Sequence, residues 1–285
     1  MNTNDLKIFE AVAATGSFTR AAAEMFTVQS NVSARIKSLE EEFGVELIIR
    51  NSRTVTLTPH GQTLLAYSKK INNVIKEAKS EINNSDKING KLHVGCIETT
   101  MTFKVPDILN FFEEKYPNVV LEFKSAIRNS LIDDVLNFDL DAAFVAGPIN
   151  NKYLDQIKIK EEQLVIITAS NGPTIEKLLK NNPVKIVVFN EGCVFRSRLE
   201  SWLSSKGIIH YKNTELNSIE GIINFVEAGV GISLLPKEII SKYYPNRDIK
   251  IHTISKQLGT MNTVLIFRKE EYQSKALKAF IETYS

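Results

Sequence analysis

Residues 16–50 read GSFTRAAAEMFTVQSNVSARIKSLEEEFGVELIIR, and the punctuation of this stretch decides the N-terminal fold. Gly16 ends an upstream amphipathic helix whose Leu6, Phe9, Ala13 and Ala14 share one face at 3.6-residue spacing. Ser17 can cap the next helix by accepting a backbone N–H. That helix, Phe18 to Met25, carries Ala21-Ala22-Ala23, side chains small enough for another helix to approach closely. Thr27 is a second expected cap. The third helix should bury Val32, Ile36, Leu39 and Phe43, with Gly44 closing it. Its other face presents Ser30, Asn31, Ser33, Ala34, Lys37 and Ser38, while the carboxylates crowd at Glu40, Glu41 and Glu42. A merely solvated helix would more often carry Glu–Lys pairs. Helix, tight turn and a helix with a short polar face make a helix-turn-helix pattern. Leu47–Arg50, the turn Asn51-Ser52-Arg53 and Thr54–Leu57 then predict a β-hairpin with a basic tip, a wing.

Four motifs carry a resemblance beyond this pattern: GSFTRAA (Gly16–Ala22), VSARIKSLE (Val32–Glu40), FGVELIIR (Phe43–Arg50) and VTLTPHG (Val55–Gly61). In order and spacing they resemble the signature of LysR-type transcription regulators, and the resemblance extends less sharply along the whole chain. It implies a multi-domain α/β protein. A winged helix-turn-helix would take residues 1–57 and a linker helix 58–88. A periplasmic-binding-protein-like α/β effector domain would take 91–285, with subdomain I at 91–161 and 267–285 and subdomain II at 162–266. By this resemblance Gln29 and Ser30 face bases in the major groove, where glutamine suits adenine. Ser33 and Lys37 would touch phosphate, and Arg53 at the wing tip would enter the minor groove. Ser17, Thr19, Asn31, Ala34, Arg35 and Arg50 complete the expected DNA-binding set. The chain departs from the family at Ser30, often proline, at Arg35, often glutamine, and at Ala34, where relatives carry a longer polar side chain. Ala34 can still pack on a thymine methyl.

Thr58 and Pro59 open the linker as cap and first helical residue. Leu64, Ser68, Ile71, Ile75, Ala78 and Ile82 alternate four and three, a seam compatible with a coiled coil. The same stripe would also serve a helix packed on its own domain. The resemblance implies a homodimer or homotetramer on a dyad-symmetric double-stranded operator, with RNA polymerase as a further partner.

From Lys91 onward, short β runs alternate with helical patterns, which implies parallel sheets. Strands are expected at Leu92–Gly95, Val119–Phe123, Ala142–Val145, Leu164–Thr168, Lys185–Phe189, Gly231–Leu234 and Thr263–Phe267. Ligands in such folds lie beyond the carboxyl ends of strands. Three loops should line the cleft: Cys96–Thr100, Arg128–Ser130 and Gly192–Arg196, with Asn217-Ser218 capping a helix nearby. Thr99, Thr100, Arg128, Asn129, Cys193, Arg196 and Ser218 form the expected effector set. Hydroxyls, helix N-termini and two arginines suit a small anion such as a carboxylate. Arg128 and Arg196 could instead form structural ion pairs with Glu98, Glu191 or Asp133. Cys96 and Cys193 stand at strand ends near the cleft. They fit either a thiol switch or small buried hydrophobes.

Composition excludes little by charge, since the net charge is +2 and the first sixty residues are slightly acidic. The N-terminus lacks the basic and apolar regions of a signal peptide, and the longest apolar runs are too short for a bilayer, so a cytoplasmic place is expected. No cofactor, no metal and no membrane partner is expected. His60, His93, His210 and His252 are scattered, and neither GxSxG, HExxH nor a phosphate loop occurs, which argues against an enzyme. Rival readings are a transport-type solute binder, a thiol-redox regulator of the same family, and an architectural DNA binder with no effector.

Overall fold

The computed structural model describes residues 1–50, 55–82, 88–269 and 273–284. The chain folds as two compact units, the first holding the elements up to Ile82 and the second those from Gly90 onward.

The first unit contains α1 (Thr3–Thr15), α2 (Phe18–Glu24), α3 (Gln29–Phe43), β1 (Ile48–Arg50), β2 (Val55–Leu57) and α4 (Pro59–Ile82). Asn2 and Asp5 form a capping box on α1, each side chain accepting the other's backbone N–H. Gly16 closes α1 in the left-handed conformation, and Ser17 accepts the N–H of Arg20 to open α2. The core joins Leu6, Phe9 and Val12 to Ala21, Val32, Ile36, Leu39, Leu47 and Leu64. The expected α1 stripe is shifted, since Ile8 and Val12 are buried and Ala14 is exposed.

Two further expectations fail here. Thr27 does not cap α3. Val28 holds that position without a side-chain bond, and Thr27 Oγ1 instead accepts Asn31 Nδ2 at 3.0 Å. Phe43 is exposed rather than buried. The left-handed turn at Gly44 sends the chain back over α3, so Leu47 and Ile48 complete the core in its stead.

The wing is an antiparallel pair with Ile48 opposite Leu57 and Arg50 opposite Val55. Helix α4 starts hard against it. Thr58 Oγ1 accepts the Gly61 N–H at 3.0 Å and donates to the Glu46 carbonyl at 2.7 Å. A Cβ on Gly61 would stand 2.1 Å from the Leu47 carbonyl oxygen.

The apolar seam expected on α4 divides between two faces. Leu64 and Ser68 are buried within the unit, and Glu10 of α1 accepts from Ser68 Oγ at 2.5 Å and Asn72 Nδ2 at 2.7 Å. The exposed apolar line keeps Ile71, Ala78 and Ile82 of the expected seam and adds Tyr67 and Val74.

The second unit begins with β3 (Gly90–Cys96), α5 (Glu98–Phe103), α6 (Val105–Lys115), β4 (Val119–Ser125), α7 (Arg128–Leu136) and β5 (Ala142–Gly147). Next come β6 (Leu154–Ala169), α8 (Ile175–Leu178), β7 (Val184–Val188), α9 (Val194–Ser205), β8 (Tyr211–Glu215) and α10 (Ile219–Glu227). The remainder is β9 (Ser233–Pro236), α11 (Lys237–Tyr243), β10 (Ile249–Thr253), α12 (Lys256–Gly259), β11 (Thr260–Arg268) and α13 (Lys275–Glu282).

Strand β3 pairs in parallel with β4 and β5, as βαβ crossovers require. The rest of that sheet is antiparallel, in the order β5, β11, β6. The uniformly parallel expectation therefore holds for only part of the unit. The cause is the single strand β6, which continues through both halves. Leu154 to Gln163 pair with β11, and Leu164 to Ala169 pair with β9 and β10. Strand β11 lies wholly in the first half's sheet, so the chain returns there near Thr260, ahead of the expected residue 267. Strands β8 and β10 were not expected, because their polar residues hide the pattern of a sheet edge. Alternation on β5 splits the first half's core: Phe144 packs with Phe112 and Phe280, while Ala143 and Val145 pack with Leu131 and Val135. Among the described residues no helix is long and apolar enough to cross a membrane.

Candidate nucleic-acid interface and ligand cleft

The first turn of α3 is the exposed front of the helix-turn-helix. Gln29 and Ser30 are exposed there, as are Thr19 on α2 and Ala34 farther along α3. Ser33 is half-buried. Other expected contacts are already occupied within the unit. Ser17 caps α2, and Asn31 is tied to Thr27. Lys37 pairs loosely with Glu41 at 3.5 Å on the exposed face. Arg35 reaches Asp5 Oδ1 at 3.2 Å, thirty residues earlier. Asp5 is itself buried, so this pair fastens α3 to the start of α1. Arg50 ends β1, and Arg53 lies outside the described residues.

Sequence reasoning missed the role of Glu40. Its Oε1 accepts the N–H of Leu47 at 2.9 Å and of Ile48 at 3.2 Å, so α3 holds the first wing strand directly. The run of three glutamates looked like a solvated helix end, and only the position of the returning strand distinguishes the inward one.

In the second unit, a cavity of about 290 Å³ lies between the two halves at the ends of β3 and β4. Ile97, Ile127, Phe189, Val194, Phe195 and Leu216 give it an apolar lining; Glu98, Arg128, Asn190, Cys193 and Asn217 give it polar groups. Arg128 is its only cation among the described residues. Its Nε donates to the Ala146 carbonyl at 2.7 Å and its Nη1 to Asn129 Oδ1 at 3.3 Å, both neutral acceptors. The alternative ion pairs with Glu98, Glu191 or Asp133 do not form among the described residues. Arg128 also starts α7, and the N-terminus of α9 opens on the same cavity through Cys193, which caps it without a side-chain bond. Two helix N-termini and a guanidinium face a small, largely apolar space. Such a place favours a compact anion with an apolar body. The Glu98 carboxylate in the lining limits the size and charge of what fits. The lips are close, for a Cβ on Gly192 would come within 2.8 Å of Ile127 Cδ1.

Several expected effector residues are placed elsewhere. Thr99 and Thr100 are buried in α5, and Thr100 lines a separate cavity of about 410 Å³ with Lys104, Lys160 and Glu162. Helix α5 begins at Glu98, with only Ile97 between it and the strand, and the two threonines do not line the cleft. Arg196 is held by Glu200 at 3.0 Å and Glu215 at 2.7 Å, partners the sequence reading did not name. These bonds hold its guanidinium further toward the charged form. Ser218 accepts the Gly221 N–H and caps α10. Asn129 is exposed and acts on Arg128.

Cys96 is buried in β3, and burial pushes its thiol up to about 12, with Glu98 adding to the shift. Burial also raises the Cys193 thiol, opposed by the N–H groups of Arg196 and Phe195. Neither environment promotes the thiolate that a redox sensor needs.

Comparison with known proteins identifies the family of both units. The model for bacterial regulatory helix-turn-helix proteins of the lysR family matches residues 3–62, and the LysR substrate binding domain matches residues 85–285. The chain is 35% identical over 285 residues to the uncharacterized HTH-type transcriptional regulator YusT of Bacillus subtilis (strain 168), covering 100% of this chain and 96% of that protein. Among solved structures it is similar to a full-length OxyR variant from Pseudomonas aeruginosa, with a TM-score of 0.76 at 23% identity, covering 100% of this chain and 93% of that one. It is also similar to full-length CbnR complexed with its target DNA, with a TM-score of 0.67 at 19% identity, covering 100% and 99%. At these identities the structural likenesses speak to the fold alone.

Proposed function

The chain belongs to the LysR family of bacterial transcription regulators, DNA-binding proteins with an effector-binding domain, and from that premise we propose how it works. A homo-oligomer binds a dyad-symmetric operator in the cytoplasm, and a small anion held in the cleft beside Arg128 controls it. The observation that carries the anionic reading is Arg128 itself, a cation on an apolar cleft that, among the described residues, meets only neutral acceptors. A guanidinium in such a place gains most from a carboxylate, which it can bind with two parallel bonds.

The parts divide the work. A winged domain over residues 1–57 reads DNA with Gln29, Ser30 and Ala34 in the major groove. Thr19, Ser33, Lys37, Arg50 and Arg53 position it on the backbone and minor groove. The linker over residues 58–88, helical from Pro59 to Ile82, pairs two chains through its exposed Tyr67–Ile71–Val74 stripe. The effector domain over residues 91–285 closes or opens about β6, the strand that runs through both halves, and about the return of the chain at Thr260. Cys193 accompanies Arg128 in the cleft, Asn129 holds the Arg128 guanidinium from outside it, and RNA polymerase meets the assembled complex.

The test is a footprint on the DNA upstream of the protein's own gene, with a salt titration and then a screen of small carboxylates by thermal shift. A protected dyad-symmetric stretch and a stabilising carboxylate are expected. Stabilisation that survives in Arg128→Ala would overturn the anion reading.

A further inference from the structure

We propose that Val28 reads the methyl group of a thymine, and so sets part of the operator's sequence. The inference rests on the reading above that the front of α3 enters the major groove. Val28 holds the N-cap of α3, a position where serine, threonine, aspartate or asparagine would accept a free N–H. Valine accepts none, and no side-chain cap bond is made. The core does not explain the choice either, because Val28 is 64% exposed. The residue therefore serves neither the helix nor the core.

Its neighbourhood points outward. Gln29 and Ser30 follow it directly and are exposed. Two residues earlier, Phe26 is 98% exposed with φ at +51°, a left-handed backbone that strains a bulky residue. Two large apolar side chains thus flank the start of an otherwise polar exposed face. The patch is continuous with the surface that meets DNA. In the major groove only an A·T pair presents a methyl, the C5-methyl of thymine. Valine's two methyls can make no hydrogen bond, so the recognition they offer is contact with that group.

The test begins with an operator selected by the full-length protein from a random duplex pool. Each thymine in it is then replaced in turn by deoxyuridine, which removes the methyl and nothing else. At one thymine in each half-site, the wild-type protein should lose about fourfold in affinity, the transfer value of one buried methyl. Val28→Ser should lose this sensitivity at that thymine alone. It should also melt no lower than wild type, because serine restores the missing cap. A Val28→Ser protein that keeps the full methyl effect at every position would overturn the proposal. So would an operator with no methyl-sensitive thymine. Failure to select any operator would bring down the major-groove reading along with it, an outcome distinct from the other two.

Discussion

Glu40 Oε1 accepts the backbone N–H of Leu47 at 2.9 Å, and through this bond the far end of α3 carries the first strand of the wing. The carboxylate is half-buried and takes the Ile48 N–H as well. A bond to a charged acceptor contributes more than a neutral one, and its loss strands two backbone donors. Glu40→Ala should destabilise the N-terminal unit by about 1.5–3 kcal/mol. Chemical denaturation followed by a helix signal checks it, and a change under about 0.5 kcal/mol, the ordinary scatter of surface substitutions, would remove Glu40 from this role.

Gly61 tests the other attachment of the wing. Alanine favours helices by about 1 kcal/mol over glycine, so local propensity predicts that Gly61→Ala stabilises α4. The Leu47 carbonyl 2.1 Å from the new Cβ predicts the reverse, since backbone must shift to admit it. We expect a net loss of about 1–3 kcal/mol, the usual range for overpacking. A melting temperature above wild type would show that the strand yields.

The exposed stripe on α4 predicts where chains pair. Ile71→Asp should convert the oligomer to smaller species in analytical ultracentrifugation while the N-terminal unit stays folded. Ser68→Ala should act in the opposite way, weakening the packing of α4 on α1 through the lost bond to Glu10 and leaving assembly intact. Equal effects of both on assembly would contradict the division of the helix into two faces.

The two arginines of the effector domain should separate cleanly. Arg128→Ala should remove the response to a bound anion and spare operator binding. Arg196→Ala should leave the response in place and lower stability by about 1 kcal/mol, a modest figure because Glu215 is half-exposed. Ligand-dependent thermal shifts on both variants distinguish the roles.

Cys96 should resist alkylation in the folded protein. Its thiol ordinarily ionises near 9.0 and is pushed to about 12 by burial. Tyr284 is likewise raised by burial, from 10.0 to about 12. A folded-state value above the unfolded one means the proton is held more tightly in the fold. Stability from these two groups is therefore fully present below pH 9 and is lost as the pH rises toward 12. Denaturation midpoints measured from about pH 8 upward check the direction, and rapid labelling of Cys96 there without unfolding would contradict the buried environment.

What the sequence by itself determined was whatever acts over three or four residues. Gly16, Ser17, Gly44 and the Thr58-Pro59 pair mark helix ends through bonds to near neighbours, so the helix-turn-helix, the wing and the start of the linker were legible. The cleft loops were legible too, since strand ends in an α/β domain face the ligand side. Tertiary structure decided which side chains remained available. Asp5 takes Arg35 from thirty residues away, Glu215 takes Arg196 from nineteen, and α1 takes the inner face of α4. It also decided that β6 runs through both halves, which displaced the return of the chain and reversed part of the sheet. Long-range pairing of charges and strands depends on which surfaces meet. No local pattern records that, because a charged residue at a helix surface reads the same whether its partner is water, a phosphate or a distant carboxylate.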